Sequence, residues 1–208
     1  MVDQQELEAL LAPGHEIASF EVKGPGGLSD KAYTAKVARA SMAMGNHRDG
    51  GLVCLGIDDK QMSQMTPGLN TDQLREWSDY DNVSAALARY SDPPVNFSLS
   101  QITLSSGVSI VLLEVLEFEH VPHICRRDYP GVLQNGATYV RSLRQPESVP
   151  VPSLVEMRIL LDLATNKALR DFVARATAAG LTLGGTPSPT QQQLDAAAFD
   201  AEAQQGWS

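Results

Sequence analysis

Apolar and polar positions along the chain change period several times, and each change marks an element. Glu6 to Leu11 carries a short helical pattern that Pro13-Gly14 ends. Ile17 to Lys23 alternates loosely and predicts a strand, broken by Gly24-Pro25-Gly26-Gly27. Ser29 or Asp30 is placed to cap a helix over Lys31 to Met44, where Ala35, Ala38 and Met42 permit close packing on a sheet. Gly50-Gly51 reads as a turn into the strand-length apolar run Leu52 to Ile57, and Met62 to Asn70 as a loop. Thr71-Asp72 opens a second helix with Leu74, Trp77, Val83, Ala86, Leu87 and Tyr90 facing inward. The cluster Asp79-Tyr80-Asp81-Asn82 is placed to interrupt it, and Asp92-Pro93-Pro94 to stop it.

Val95 to Leu104 and Val108 to Glu117 flank Ser105-Ser106-Gly107, a strong hairpin signal. Pro122 to Arg127 and Ala137 to Arg141 predict two short strands around a loop, and Pro150 and Pro152 a joint. Ser153 caps a long helix from Leu154 to about Ala178, with Val155, Ile159, Leu160, Leu163, Leu169, Phe172 and Val173 at helical spacing. Gly184 to Pro189 reads as a linker, and Gln191 to Gln205 is Ala/Gln-rich. The expected class is α+β: a mixed sheet with a central hairpin, flanking helices and a long C-terminal helix. One domain is expected over 1–180, its C-terminal helix at 153–178, followed by a linker and tail over 181–208.

Length adds that 208 residues suit one domain with a full core. The net charge of -9 argues against a surface that grips nucleic acid everywhere, while leaving room for a local basic groove. The longest apolar stretches are too short to span a bilayer. The acidic start, Met-Val-Asp-Gln-Gln-Glu, lacks a basic segment followed by an apolar run. Cys54 and Cys125 form neither a disulfide framework nor a zinc spacing. The expectation is a soluble, cytoplasmic protein with no membrane partner.

Chemistry concentrates between Glu16 and Asp59. Glu16, Glu21 and Lys23 open one apolar strand, and Asp58 and Asp59 follow another. Carboxylates at neighbouring strand ends can converge on Mg2+ or Mn2+, which take hard oxygen ligands and can activate a water against a phosphodiester. Glu16 and Glu21 are five residues apart, so an ideal strand would point them to opposite faces; convergence needs Glu16 on a preceding turn, or a bulge. The alternative is a set of solvated strand ends with Lys23 as a salt-bridge partner. His120-Val-Pro-His123 lacks further ligands and reads as a turn. Arg126, Arg127, Arg141 and Arg144, interleaved with Tyr129 and Tyr139, form the one basic concentration. They suit phosphate contact, a solvated hairpin face or an acidic protein partner.

In order, Glu16, Glu21-Val22-Lys23, Asn46, Gly50-Gly51 and Gly56-Ile57-Asp58-Asp59 resemble the hallmark of the Schlafen AlbA_2 family, also called the divergent AAA-associated domain. That hallmark is Glu, a few residues, Glu-Phe-Lys, a helix ending in Ala-Asn, Gly-Gly, an apolar strand and Gly-Val-Asp-Asp/Glu. Val121-Pro122-His123 and Gly136 to Arg141 echo its later part, and the likeness covers Glu16 to Leu161. Val22 replaces the Phe, and the loops after Lys23, Asn46 and Asp59 depart from the pattern. The resemblance implies a metal-dependent endoribonuclease acting on structured RNA such as tRNA, in a bacterial or phage-defence setting. Glu16, Glu21 and Asp58 would be metal ligands, with Asp59 as the alternative third acid. Lys23 would be at the catalytic site, and Arg126, Arg127, Arg141 and Arg144 on RNA. A homodimer or larger assembly would widen the cleft. The competing reading is a non-catalytic module that binds nucleic acid or protein and acts through oligomerisation.

Overall fold

The computed structural model describes residues 2–181. Asp3 caps α1 (Gln4–Leu11) through a capping box with Glu6. Then follow β1 (Phe20–Lys23), α2 (Lys31–Gly45), β2 (Gly51–Leu55), α3 (Thr71–Ser78) and α4 (Tyr80–Ala88). The chain continues through β3 (Ser91–Asp92), β4 (Phe97–Thr103), β5 (Ser109–Val115), β6 (Ile124–Cys125), β7 (Tyr139–Arg141), β8 (Ser148–Pro150) and α5 (Leu154–Ala178). The fold is α+β with a mixed sheet and a long C-terminal helix, as expected.

The main sheet runs β1-β2-β5-β4, with β1 parallel to β2 and the other pairs antiparallel. Period-two alternation divides the apolar residues between its faces. Val53, Leu55, Val111, Leu113 and Val115 join α2, Trp77, Val83 and Leu87 in one core. Cys54, Ile110 and Leu112 join Leu7, Leu11, Phe20 and Val22 in the other. Asp30, rather than Ser29, caps α2, its carboxylate accepting from the N–H groups of Ala32 and Tyr33. Asp79 both ends α3 and caps α4, so the acidic cluster does split the second helix. Gly50 has φ +75°, and a Cβ there would collide with the Val115 carbonyl oxygen, so the turn into β2 needs glycine.

The two short strands expected near 124 and 139 are present, each paired with another segment: β6 with β3, and β7 with β8, which holds Pro150 at its end. The long helix buries Leu160 and Leu163 against Phe118 and Val140. Val155 and Ile159 are instead 64% and 48% exposed, and Leu169, Phe172 and Val173 are exposed too. Of Val155, Ile159, Leu160 and Leu163, the cluster around Phe118 takes in Leu160 and Leu163. Compact units divide within α5, the first ending at Lys167 and the second beginning at Ala168. In the first unit Lys167 pairs with Glu117 at 2.9 Å and sits 5.3 Å from the Phe118 ring centroid. The expected linker and tail lie outside the described residues, apart from Leu181. Among the described residues no helix is long and apolar enough to cross a membrane.

Candidate functional site

Strand β1 lies at the edge of the sheet, and its alternation sends Phe20 and Val22 into the α1-side core. Glu21 and Lys23 therefore face the other side. Glu16 precedes a tight turn in which the Phe20 N–H donates to the Ile17 carbonyl. The turn resolves the odd spacing: Glu16 reaches back, and its Oε1 accepts from the Val22 N–H at 2.9 Å. Both carboxylates meet at Arg141 of β7.

Arg141 is 4% exposed, and its guanidinium is fully used. Nη1 donates to Glu21 Oε2 and to Ser148 Oγ. Nη2 donates to Glu16 Oε2 at 3.2 Å and to the carbonyls of Ile17 and Phe20. Nε donates to the Ala18 carbonyl at 3.1 Å. Ser148 Oγ also donates to Glu21 Oε2, and Lys23 Nζ to Glu21 Oε1 and the Val22 carbonyl. One rigid fork thus clasps the turn, strand β1 and the β7–β8 hairpin.

The two glutamates titrate in opposite directions. Burial, and then the neighbouring Glu21 charge, hold the Glu16 carboxyl above its usual value, against opposing pulls from the Val22 N–H, Lys23 and Arg141. Burial also works to raise Glu21, but the charges of Lys23 and Arg141 and the hydrogen bonds from Lys23 and Ser148 outweigh it. Glu21 is therefore held below its usual value. An open groove of about 810 Å³ passes this cluster, lined among others by His15, Glu16, Glu21, Lys23, Arg39, Asp59 and Glu147.

The structure joins Glu16, Glu21, Lys23 and Arg141, and brings Asp59 to the same groove. Asp58 is not in the groove lining; it caps a 3-10 turn (Asp59–Gln61), its Oδ1 accepting from the Lys60 N–H at 3.0 Å. Arg141, expected on RNA, is buried, because strand alternation puts it beside buried Tyr139 and against the acids. Arg126, Arg127 and Arg144 are exposed. His123 is buried, its Nδ1 2.9 Å from the Pro93 carbonyl oxygen. Asn46 ties the end of α2 to two distant segments: its Nδ2 donates to the carbonyls of His123 and Tyr139, and its Oδ1 accepts from the His123 N–H.

Arg39 was not legible as a site residue. It is the single charge in the run Ala38 to Ala43 of α2, and that isolation was the available signal. Its Nε is buried with no hydrogen-bond partner.

A divalent ion does not fit this donor set as arranged. Every Glu16 and Glu21 oxygen already accepts from a protein donor. With both acids ionised, the charges of Glu16, Glu21, Lys23 and Arg141 sum to zero, so these four groups carry no net negative charge to attract a cation. Among the described residues, no group of three or more His, Cys, Asp or Glu side chains is placed to hold a metal.

No family model matches the chain, and no curated protein matches it. Among solved structures, it is similar to the DIP2311 protein from Corynebacterium diphtheriae, with 16% identity and a TM-score of 0.47. That match covers 71% of this chain and 25% of the other, so the chain spans about a quarter of that protein's length.

Proposed function

We propose that this chain is a Schlafen AlbA_2-like nucleic-acid-binding module in which Glu16 and Glu21 are structural. The observation that carries the reading is that every oxygen of Glu16 and Glu21 accepts from Arg141, Lys23, Ser148 or the Val22 N–H. The ordered motif from Glu16 to Asp59 supplies the ligand class. Arginines outside the clasp supply phosphate contacts, since charge-assisted bonds to phosphate dominate nucleic-acid affinity. Self-association belongs to the same proposal, through the exposed Leu154, Val155 and Leu161 of α5. Sedimentation of the purified chain tests that part, and a monomer at all concentrations removes it.

The test of binding is a mobility shift with tRNA-length RNA in EDTA, followed by incubation of the same RNA with Mg2+ or Mn2+. Binding without metal and intact RNA are expected. Cleavage that disappears in Glu21→Gln supports the second reading, a Schlafen-like endoribonuclease. One observation favours that reading: Glu16 and Glu21 are pushed apart in acidity beside a groove that also holds Lys23 and Arg39. Such a split is how paired carboxylates divide acid and base roles.

A further inference from the structure

We propose that the phosphate-binding site is a depression at the C-terminal end of α4, where Arg89, Arg126 and Arg127 surround Ala85 and Ala88. The inference rests on the nucleic-acid-binding reading and gives it a location. The depression shares no lining residue with the glutamate groove.

Local pairing builds it. Arg89 is the C-cap of α4. Ser91 and Asp92 pair with Cys125 and Ile124, and the Arg126 N–H donates to the Tyr90 carbonyl at 2.9 Å. The end of α4 and the chain leaving β6 are thereby locked side by side, which places arginines from sites 37 residues apart around one hollow. The hollow measures about 500 Å³, and its alanine floor leaves room for a phosphate group and its neighbours.

The sign of the lining is the strongest argument. The chain carries 25 acids against 16 Lys and Arg, yet these five residues include three arginines and no carboxylate. All three arginines are exposed, and among the described residues none makes an ion pair. Other arginines do: Arg75 pairs with Asp72, Arg141 with Glu16 and Glu21, and Arg158 lies 3.9 Å from Asp162. The adjacent Asp128 carboxylate accepts from the Asn135 N–H at 2.9 Å, turned to its own loop. The C-terminus of α4 contributes only about half a negative charge, so roughly two and a half positive charges remain in excess among the lining residues. The neighbouring depression beyond Arg89 contains Glu76 and Asp79, which bounds the basic site on that side. Unpaired arginine forks on an open floor suit the phosphodiester backbone, with no provision for reading bases.

The experiment is fluorescence anisotropy of labelled single-stranded RNA and DNA oligomers over a salt series. It compares wild type, Arg89→Ala/Arg126→Ala/Arg127→Ala and the same three positions changed to Lys, with melting curves to confirm folding. Wild type should bind both nucleic acids. The alanine variant should lose at least ~10-fold in affinity, and its log K against log salt slope should fall by about 2, from three lost contacts at about 0.7 each. The lysine variant should keep most of the slope. If wild type binds but the alanine variant retains its affinity and slope, this location is wrong while the module reading stands. Polyglutamate competing as well as RNA, charge for charge, overturns the location in favour of an acidic protein partner. Failure of wild type to bind either nucleic acid overturns the module reading, and the site with it.

Discussion

Arg141 of β7 donates to Glu21 of β1 across 120 residues of sequence, and neither side chain is accessible enough to be held by water instead. Each is the other's means of being buried while charged. Removing Arg141 leaves two carboxylates, Glu16 and Glu21, against the single charge of Lys23, at a cost of ~3–5 kcal/mol. Arg141→Ala should therefore destabilise the fold by about that amount in urea unfolding, and Arg141→Lys should recover little. A lysine ammonium cannot reach the spread of acceptors from Ala18 to Ser148 that the guanidinium serves. The double variant Arg141→Met/Glu21→Leu should recover much of the loss. A single-variant cost near zero would remove the clasp from the account.

Stability should also depend on pH through Glu16. Its folded-state carboxyl is held above the ordinary value of 4.5, so the native state binds more protons than the unfolded chain between the two values. Stability therefore falls as pH rises through that window. Glu21 acts oppositely: its lowered value contributes stability above 4.5 that disappears as pH falls through its folded value. Glu16→Gln should abolish the loss above pH 4.5 and leave the acid-side loss in place, measured by urea midpoints over a pH series. An unchanged profile above that pH would contradict the assignment to Glu16.

Asn46→Ala should cost at least ~2 kcal/mol, because three buried backbone groups of His123 and Tyr139 lose their partner at once. Asn46→Asp should also destabilise, since a carboxylate cannot donate to the two carbonyls. Thermal melting of both variants checks this, and a melting temperature within a degree of wild type would show the bonds to be dispensable.

Much of the fold was legible because it is written locally. The caps at Asp30, the split at Asp79 and the hairpin around Gly107 each follow from residues within a few positions. The site was legible in part. The motif identified Glu16 and Glu21 as neighbours in space, and the odd spacing required a turn before β1 or a bulge, of which the turn is what forms. What meets them was hidden, because Arg141 is brought in by the β7–β8 hairpin from far along the chain. Tyr139-Val140-Arg141 did carry one signal: in a strand, Arg141 shares a side with a residue as apolar as Tyr139, which argues for burial over solvent. Arg89 gave no signal, since its partners in the basic hollow, Arg126 and Arg127, come from the chain just after β6, beyond the β4–β5 hairpin.

The central claim, that Arg141 and Lys23 occupy the place a cation would take between Glu16 and Glu21, is tested most directly with Mn2+ alone. Free Mn2+ is followed by electron paramagnetic resonance as protein is added, for wild type and for Glu21→Gln. The account predicts the same weak binding for both, with no site tighter than ~1 mM. A stoichiometric site in wild type that disappears in Glu21→Gln would contradict it.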